Sequence, residues 1–156
     1  MKKTLLFLIT VSLFACGTSK TVRTSHKVIK GNWILNSITY SEKGTYNVSL
    51  LNDASKVCFE GSTWQFVPNN NTGIYNINNT SCSTGARNFV FTIQEIDEQT
   101  GLYDFLLKPT DEKYKSVTNN GFRLNLTALS DINMQWEQTV LVDGESFTIT
   151  MNFNKQ

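Results

Sequence analysis

Between residues 122 and 153, apolar side chains fall on every second position. Phe122, Leu124, Leu126 and Ala128 alternate with Arg123, Asn125 and Thr127. Ile132, Met134 and Trp136 alternate with Asn133, Gln135 and Glu137. Phe147, Ile149, Met151 and Phe153 alternate with Thr148, Thr150, Asn152 and Asn154. A period of two puts one row of side chains on each face of a strand. An antiparallel sheet with one buried and one wet face has this pattern. Asp143-Gly144, between two such runs, is a strong two-residue hairpin signal.

The same period runs through the chain upstream. Trp33, Leu35 and Ile38 mark a first strand ending near Tyr40. Residues 46–51 read as a short strand and residues 52–56 as a turn or brief helix. Residues 63–67 alternate until Pro68 stops them, and Asn69-Asn70-Asn71-Thr72-Gly73 accepts the positive φ of a hairpin turn. Residues 74–78 return as its partner. Residues 88–96 carry Phe89, Phe91 and Ile93 on one face; a turn at 99–101 precedes a strand over 102–107. Eight to ten strands joined by short turns predict a single all-β domain over residues 31–156, an antiparallel up-and-down sheet. Such a sheet closes into a barrel or folds into a sandwich, and closure removes its edges.

The start of the chain is different. Lys2 and Lys3 precede an apolar run over residues 5–14, too short to span a bilayer. It reads as a removable leader. Leu13-Phe14-Ala15-Cys16 resembles a bacterial lipobox, with a small residue at the cleavage position and a Cys to be acylated. An ordinary secretory leader is the alternative. On the lipobox reading, residues 1–15 are a lipoprotein signal peptide and Cys16 is the lipidation site. Residues 16–30 are then a lipidated flexible tether, polar and without apolar period. The mature chain is then expected to be a lipid-anchored protein of the cell envelope. Without residues 1–15 the chain keeps 12 Lys+Arg against 13 Asp+Glu, which offers no basic patch for nucleic acid. Cys58 and Cys82 form an even pair in an oxidising compartment and read as a disulfide. It would close a loop of about 25 residues and stabilise by about 3 kcal/mol. A metal pair is the other option, at a spacing that does not suit one.

No reaction is legible. His26, the single His, falls in the tether segment, so a His general base in the folded domain is not expected. There is no Gly-rich phosphate loop and no Gly-x-Ser-x-Gly elbow. Asp97-Glu98 and Asp111-Glu112 read as solvated loop charge, and Cys58 lacks a His to activate it. The expectation is a non-enzyme without cofactor or metal. The candidate inner face carries Trp64, Phe66, Phe89, Phe91, Phe122, Leu124, Met134, Trp136, Phe147 and Ile149. In an eight-stranded barrel such residues either fill the interior or wall one small ligand. Arg87 and Arg123 lie in or beside strands. An Arg at a barrel mouth can pair with a ligand carboxylate, although Arg123 has outward parity.

Gly31-Asn32-Trp33, opening the first strand, is similar to the Gly-x-Trp motif of lipocalins. Further features extend the likeness: Cys58 followed by Ser62-Thr63-Trp64-Gln65-Phe66, Asn71-Thr72-Gly73-Ile74-Tyr75, Ser81-Cys82, and Gly121-Phe122-Arg123-Leu124-Asn125-Leu126. The tail from Met134-Gln135-Trp136-Glu137-Gln138 to Ile149-Thr150-Met151-Asn152-Phe153 adds to it. Together they resemble the lipocalin-like lipoproteins of the Bacteroidetes. The resemblance implies an eight-stranded barrel with one open end, Trp33 as plug of the closed end, and outer-membrane anchoring. Because Cys16-Gly17-Thr18-Ser19-Lys20 lacks the acidic residues of a surface-export signal, the periplasmic side is expected, with the cell surface as the alternative. It also implies a small hydrophobic ligand, a fatty acid or lipid-like molecule, bound by a monomer. The competing expectation is an interaction lipoprotein with a packed barrel that works through its loops.

Overall fold

The computed structural model describes residues 20–97, 102–116, 118 and 120–156. The leader, the lipobox, Cys16 and the turn expected at 99–101 lie outside the described residues. In chain order the elements are α1 (Lys20–Ile29), β1 (Gly31–Tyr40), β2 (Ser49–Leu50), β3 (Ala54–Ser55) and α2 (Lys56–Phe59). They continue with β4 (Thr63–Val67), β5 (Thr72–Ile77), β6 (Gly85–Asp97), β7 (Leu102–Thr110), β8 (Phe122–Leu129), β9 (Asn133–Val142) and β10 (Glu145–Lys155).

Strands β4 to β10 form an antiparallel meander, and β1 closes it by pairing with both β4 and β10. The result is a closed eight-stranded barrel, so the sandwich alternative falls away. The start of β1, where Trp33 opposes Trp64 of β4, and the end of β10 meet at one end. The other end, the mouth, gathers the β5–β6 and β7–β8 loops and the β9–β10 turn. That turn is built on Asp143 and Gly144, whose φ values of 52° and 86° match the twist of the flanking strands.

Bulges correct the simple alternation. In β1 the register shifts between Leu35 and Ser37, so Trp33, Leu35 and Ile38 all face inward despite their uneven spacing. In β8 a shift between Leu126 and Ala128 turns Ala128 outward. Ile132, read as an inward residue of β9, is instead 67% exposed in the β8–β9 turn. Ser130 fastens that turn by accepting from the Asn133 amide at 2.9 Å and donating its own amide to the Asn133 carbonyl at 2.8 Å.

The interior is filled with rings. Trp64 lies 4.4 Å from Tyr75, 5.4 Å from Trp136 and 5.6 Å from both Phe89 and Phe153, centroid to centroid. Trp136 lies 4.6 Å from Phe105 and Phe153. These separations are those of stacked and edge-on aromatic pairs in direct contact.

The expected flexible tether is corrected over residues 20–29, which form α1, packed on β6 and β8 at the closed end. Val22, Ser25 and Ile29, three and four residues apart, put one narrow stripe of the helix on the barrel. Two apolar residues are too faint a signal to read from sequence, and a helix this short owes its stability to docking. His26 consequently belongs to the folded domain, 6.4 Å from the Phe91 ring. Burial shifts its pKa below the ordinary imidazole value. Beneath α1, Trp33 is fully buried, donates its indole N–H to the Ile29 carbonyl at 2.8 Å, and carries the Lys155 ammonium over its ring.

Candidate functional site

The mouth is where chain chemistry and open space meet. Residues 41–62 fold over it, burying Leu50, Leu51 and Phe59. Leu50 and Ala54 pair across the short hairpin of β2 and β3, whose three-residue turn holds Leu51 and Asn52 at φ 50° and 54°. A positive φ is uncommon for Leu, and here it presses the Leu51 side chain into the mouth and leaves Asp53 beside the barrel rim. The Cys58–Cys82 disulfide ties α2 to the β5–β6 loop, so the pairing expected from the cysteine count is present and the metal alternative is set aside.

Tyr75 of β5 and Arg87 of β6 are directly paired across the ladder, so their side chains share one face. Asp53 joins them: its Oδ2 accepts from the Tyr75 hydroxyl at 2.8 Å and from Arg87 Nε at 3.0 Å. The other two guanidinium nitrogens donate to the Gly85 and Ser83 carbonyls, each at 2.7 Å. Arg87 is therefore engaged on every nitrogen and is not a free clamp for a carboxylate. Burial, then the hydrogen bond to Asp53 and its charge, drive the Tyr75 pKa far above the ordinary phenol value. Tyr75 stays a neutral donor across the physiological range.

Next to this triad lies an open cavity of about 440 Å³. Leu51, Tyr75, Pro109 and Phe122 give it apolar wall; Asn52, Asn88, Asn120, Asp111 and Glu112 give it a polar rim. The size lies in the range of small-molecule sites. Asp53 and Arg87 balance each other, which leaves the Asp111 and Glu112 carboxylates to set a negative rim. Asp111 is held in place by the Lys113 and Lys115 amides, which donate to its Oδ1 at 2.9 and 2.8 Å.

Of the ten residues expected to wall a ligand, Phe122 does line this cavity, and Phe147 lines a second cleft with Tyr46 and Glu42. Trp64, Phe66, Phe89, Phe91, Leu124, Met134, Trp136 and Ile149 are buried to 3% exposure or less within the core. A ligand on the barrel axis would have to displace them, so the axial position expected for it is already occupied by the chain itself. Arg123 points outward, as its parity indicated, and pairs with the buried Asp104. Asp97 ends β6, and Glu98 lies outside the described residues. Leu51, Asp53 and Tyr75 were not foreseen. Tyr75 had a signal in the row Gly73, Tyr75, Ile77, whereas nothing local marks Asp53.

No family model matches the chain, and no curated protein matches it. Among solved structures it is similar to the crystal structure of a lipocalin-like protein from Bacteroides uniformis. The match has a TM-score of 0.50 and 9% identity, and covers 82% of this chain and 98% of that one. At that identity the likeness is one of architecture, and the barrel described above is a lipocalin-like barrel.

Proposed function

We propose that this chain is a non-enzymatic lipoprotein of the bacterial outer membrane, anchored through Cys16 and facing the periplasm. Its lipocalin-like barrel receives a small hydrophobic molecule at the mouth rather than along the axis. The observation that carries the reading is the 440 Å³ mouth cavity, with apolar wall and polar rim, above a filled interior. The Leu13-Phe14-Ala15-Cys16 pattern supports the anchor. Two rim carboxylates disfavour a fatty-acid head group, because like charges repel. A lipid-like ligand with a neutral or cationic head suits the rim better.

Native mass spectrometry of the mature protein from its envelope, followed by organic extraction, tests this. The expected result is a discrete bound mass that leaves on extraction and is reduced by Leu51→Ala combined with Phe122→Ala. A clean unbound mass, with no uptake from a lipid panel, would overturn it. A second reading, an interaction lipoprotein acting through its loops, is favoured by the packed interior together with Leu141 and Val142. These are 75% and 46% exposed near the β9–β10 turn. Crosslinking in the native envelope would then recover one reproducible neighbour through that turn.

A further inference from the structure

Lys20, Arg23 and Lys27 of α1 and Lys30, the residue after it, are all exposed and lie three and four residues apart. That spacing puts them on one helical face. Val22, Ser25 and Ile29 occupy the opposite side and bind the barrel, so the cationic stripe points away from it. The first acidic residue of the sequence is Glu42; from there on the chain holds eight Lys+Arg against 13 Asp+Glu. The stripe is thus a concentrated positive feature on an otherwise negative molecule. No described ion pair involves any of the four. The acids that the described strands and turns carry at this end are Glu95 and Asp97 in the last residues of β6 and Asp131 in the β8–β9 turn. Between α1 and the β4–β5 turn, Arg23, His26, Lys27 and Lys30 also line an open cleft of about 440 Å³ together with Pro68 and Asn69. The cleft lining contains no acid. Ile132, exposed in the turn beside α1's partner β8, adds an apolar residue at the same end.

We infer that α1 is a membrane-contact surface: its cationic stripe seats on an anionic phospholipid bilayer. The barrel then stands closed end down, with the mouth turned away from the membrane. The orientation rests on the proposed acylation of Cys16. Lys20 follows Cys16 by four residues, at most about 15 Å of extended chain. Such a short link holds the Lys20 end of α1 within about two Debye lengths of the lipid surface, and a helix lying along that surface brings the rest of the stripe to the same depth, where each Lys or Arg gains attraction. A lipid chain and a basic patch are also the usual pair of signals for stable attachment.

The test uses the mature chain carrying Cys16→Ser, so that the stripe is read without the anchor. It is sedimented with vesicles of phosphatidylcholine alone or mixed with phosphatidylglycerol. Binding is expected only to the mixed vesicles, and is expected to fall steeply with salt. Each Lys or Arg exchanged for Gln within the stripe should weaken it about fivefold. Lys20→Arg, Lys27→Arg and Lys30→Arg together should preserve it, and Lys43→Gln, Lys113→Gln and Lys115→Gln at the mouth should leave it unchanged. Equal binding to both vesicles, no binding to either, or wild-type binding by the four-fold Gln variant with a native circular-dichroism spectrum would overturn the inference. Detergent-phase partitioning of the wild-type chain against Cys16→Ser reads the anchor separately, so the failure of one is told apart from the failure of the other.

Discussion

Gly73 sits opposite Phe89 across the β5–β6 ladder, and the Phe89 ring lies over it in the space a side chain would take. A Cβ there would run into the Phe89 ring and lie 2.8 Å from the Gln65 carbonyl oxygen. The ring is itself wedged against Trp64 and Phe66, and the carbonyl belongs to the β4 backbone, so neither yields cheaply. Gly73→Ala should therefore destabilise by about 1–3 kcal/mol as an overpacking change. It would be read as a lower urea midpoint at unchanged slope. Tyr75 makes a prediction in pH. Its pKa is raised in the folded chain, chiefly by burial and then by Asp53. The stability this contributes is complete below the unfolded value near 10 and is lost as pH rises above it. Tyr75→Phe also gives up the hydrogen bond to Asp53, at about 1 kcal/mol. The stability gap between wild type and Tyr75→Phe, measured by denaturant unfolding, should shrink as pH climbs past 10. A gap independent of pH would mean the phenol is not held neutral by its site.

The elements that close the two ends are of different kinds. At the closed end α1 is held by docking, through Ile29, the Trp33 indole and the Lys155 ammonium, which donates to the Val28 carbonyl at 2.6 Å. At the mouth the covering segment is short and irregular, and a covalent bond takes the place of a large interface. Cys58 and Cys82 are 24 residues apart, a loop length for which a crosslink contributes about 3 kcal/mol by limiting the unfolded chain. Cys58→Ala with Cys82→Ala should lower the unfolding free energy by that amount. It should also loosen residues 41–62 first, seen as faster amide exchange at Leu50 and Asp53 than in β9 and β10. Uniform loss of protection across the barrel would show the disulfide acting on the whole fold. The strands themselves were readable because alternation repeats many times along each; α1 was not, because a ten-residue helix with two buried apolar residues resembles a polar linker.

As a whole, the molecule is a ring of antiparallel strands with no free edge and an aromatic interior. Closure leaves every barrel strand paired on both sides, which removes the surface on which sheets aggregate. Packing decides what the barrel can hold. Phe66 touches Phe89, Phe91, Phe105 and Trp136 at centroid distances of 5.5 to 6.1 Å. Phe66→Ala should therefore destabilise by about 3–5 kcal/mol and leave a dry cavity that takes up benzene, raising the melting temperature in its presence. A nearly neutral substitution would mean the axis was open space from the start. The sequence by itself determined the class of fold, most strand positions, the Asp143-Gly144 turn and the cysteine pair, because each follows from local periodicity, turn chemistry or counting. Only the tertiary structure decided whether the inward rows meet as a filled core or a hollow, since that depends on ring volumes summed across eight strands. It also brought Asp53 to Tyr75 and Arg87, which lie 22 and 34 residues farther along the chain. No period or motif encodes a contact over that separation; it exists because barrel closure and the folded mouth segment place the three at one rim.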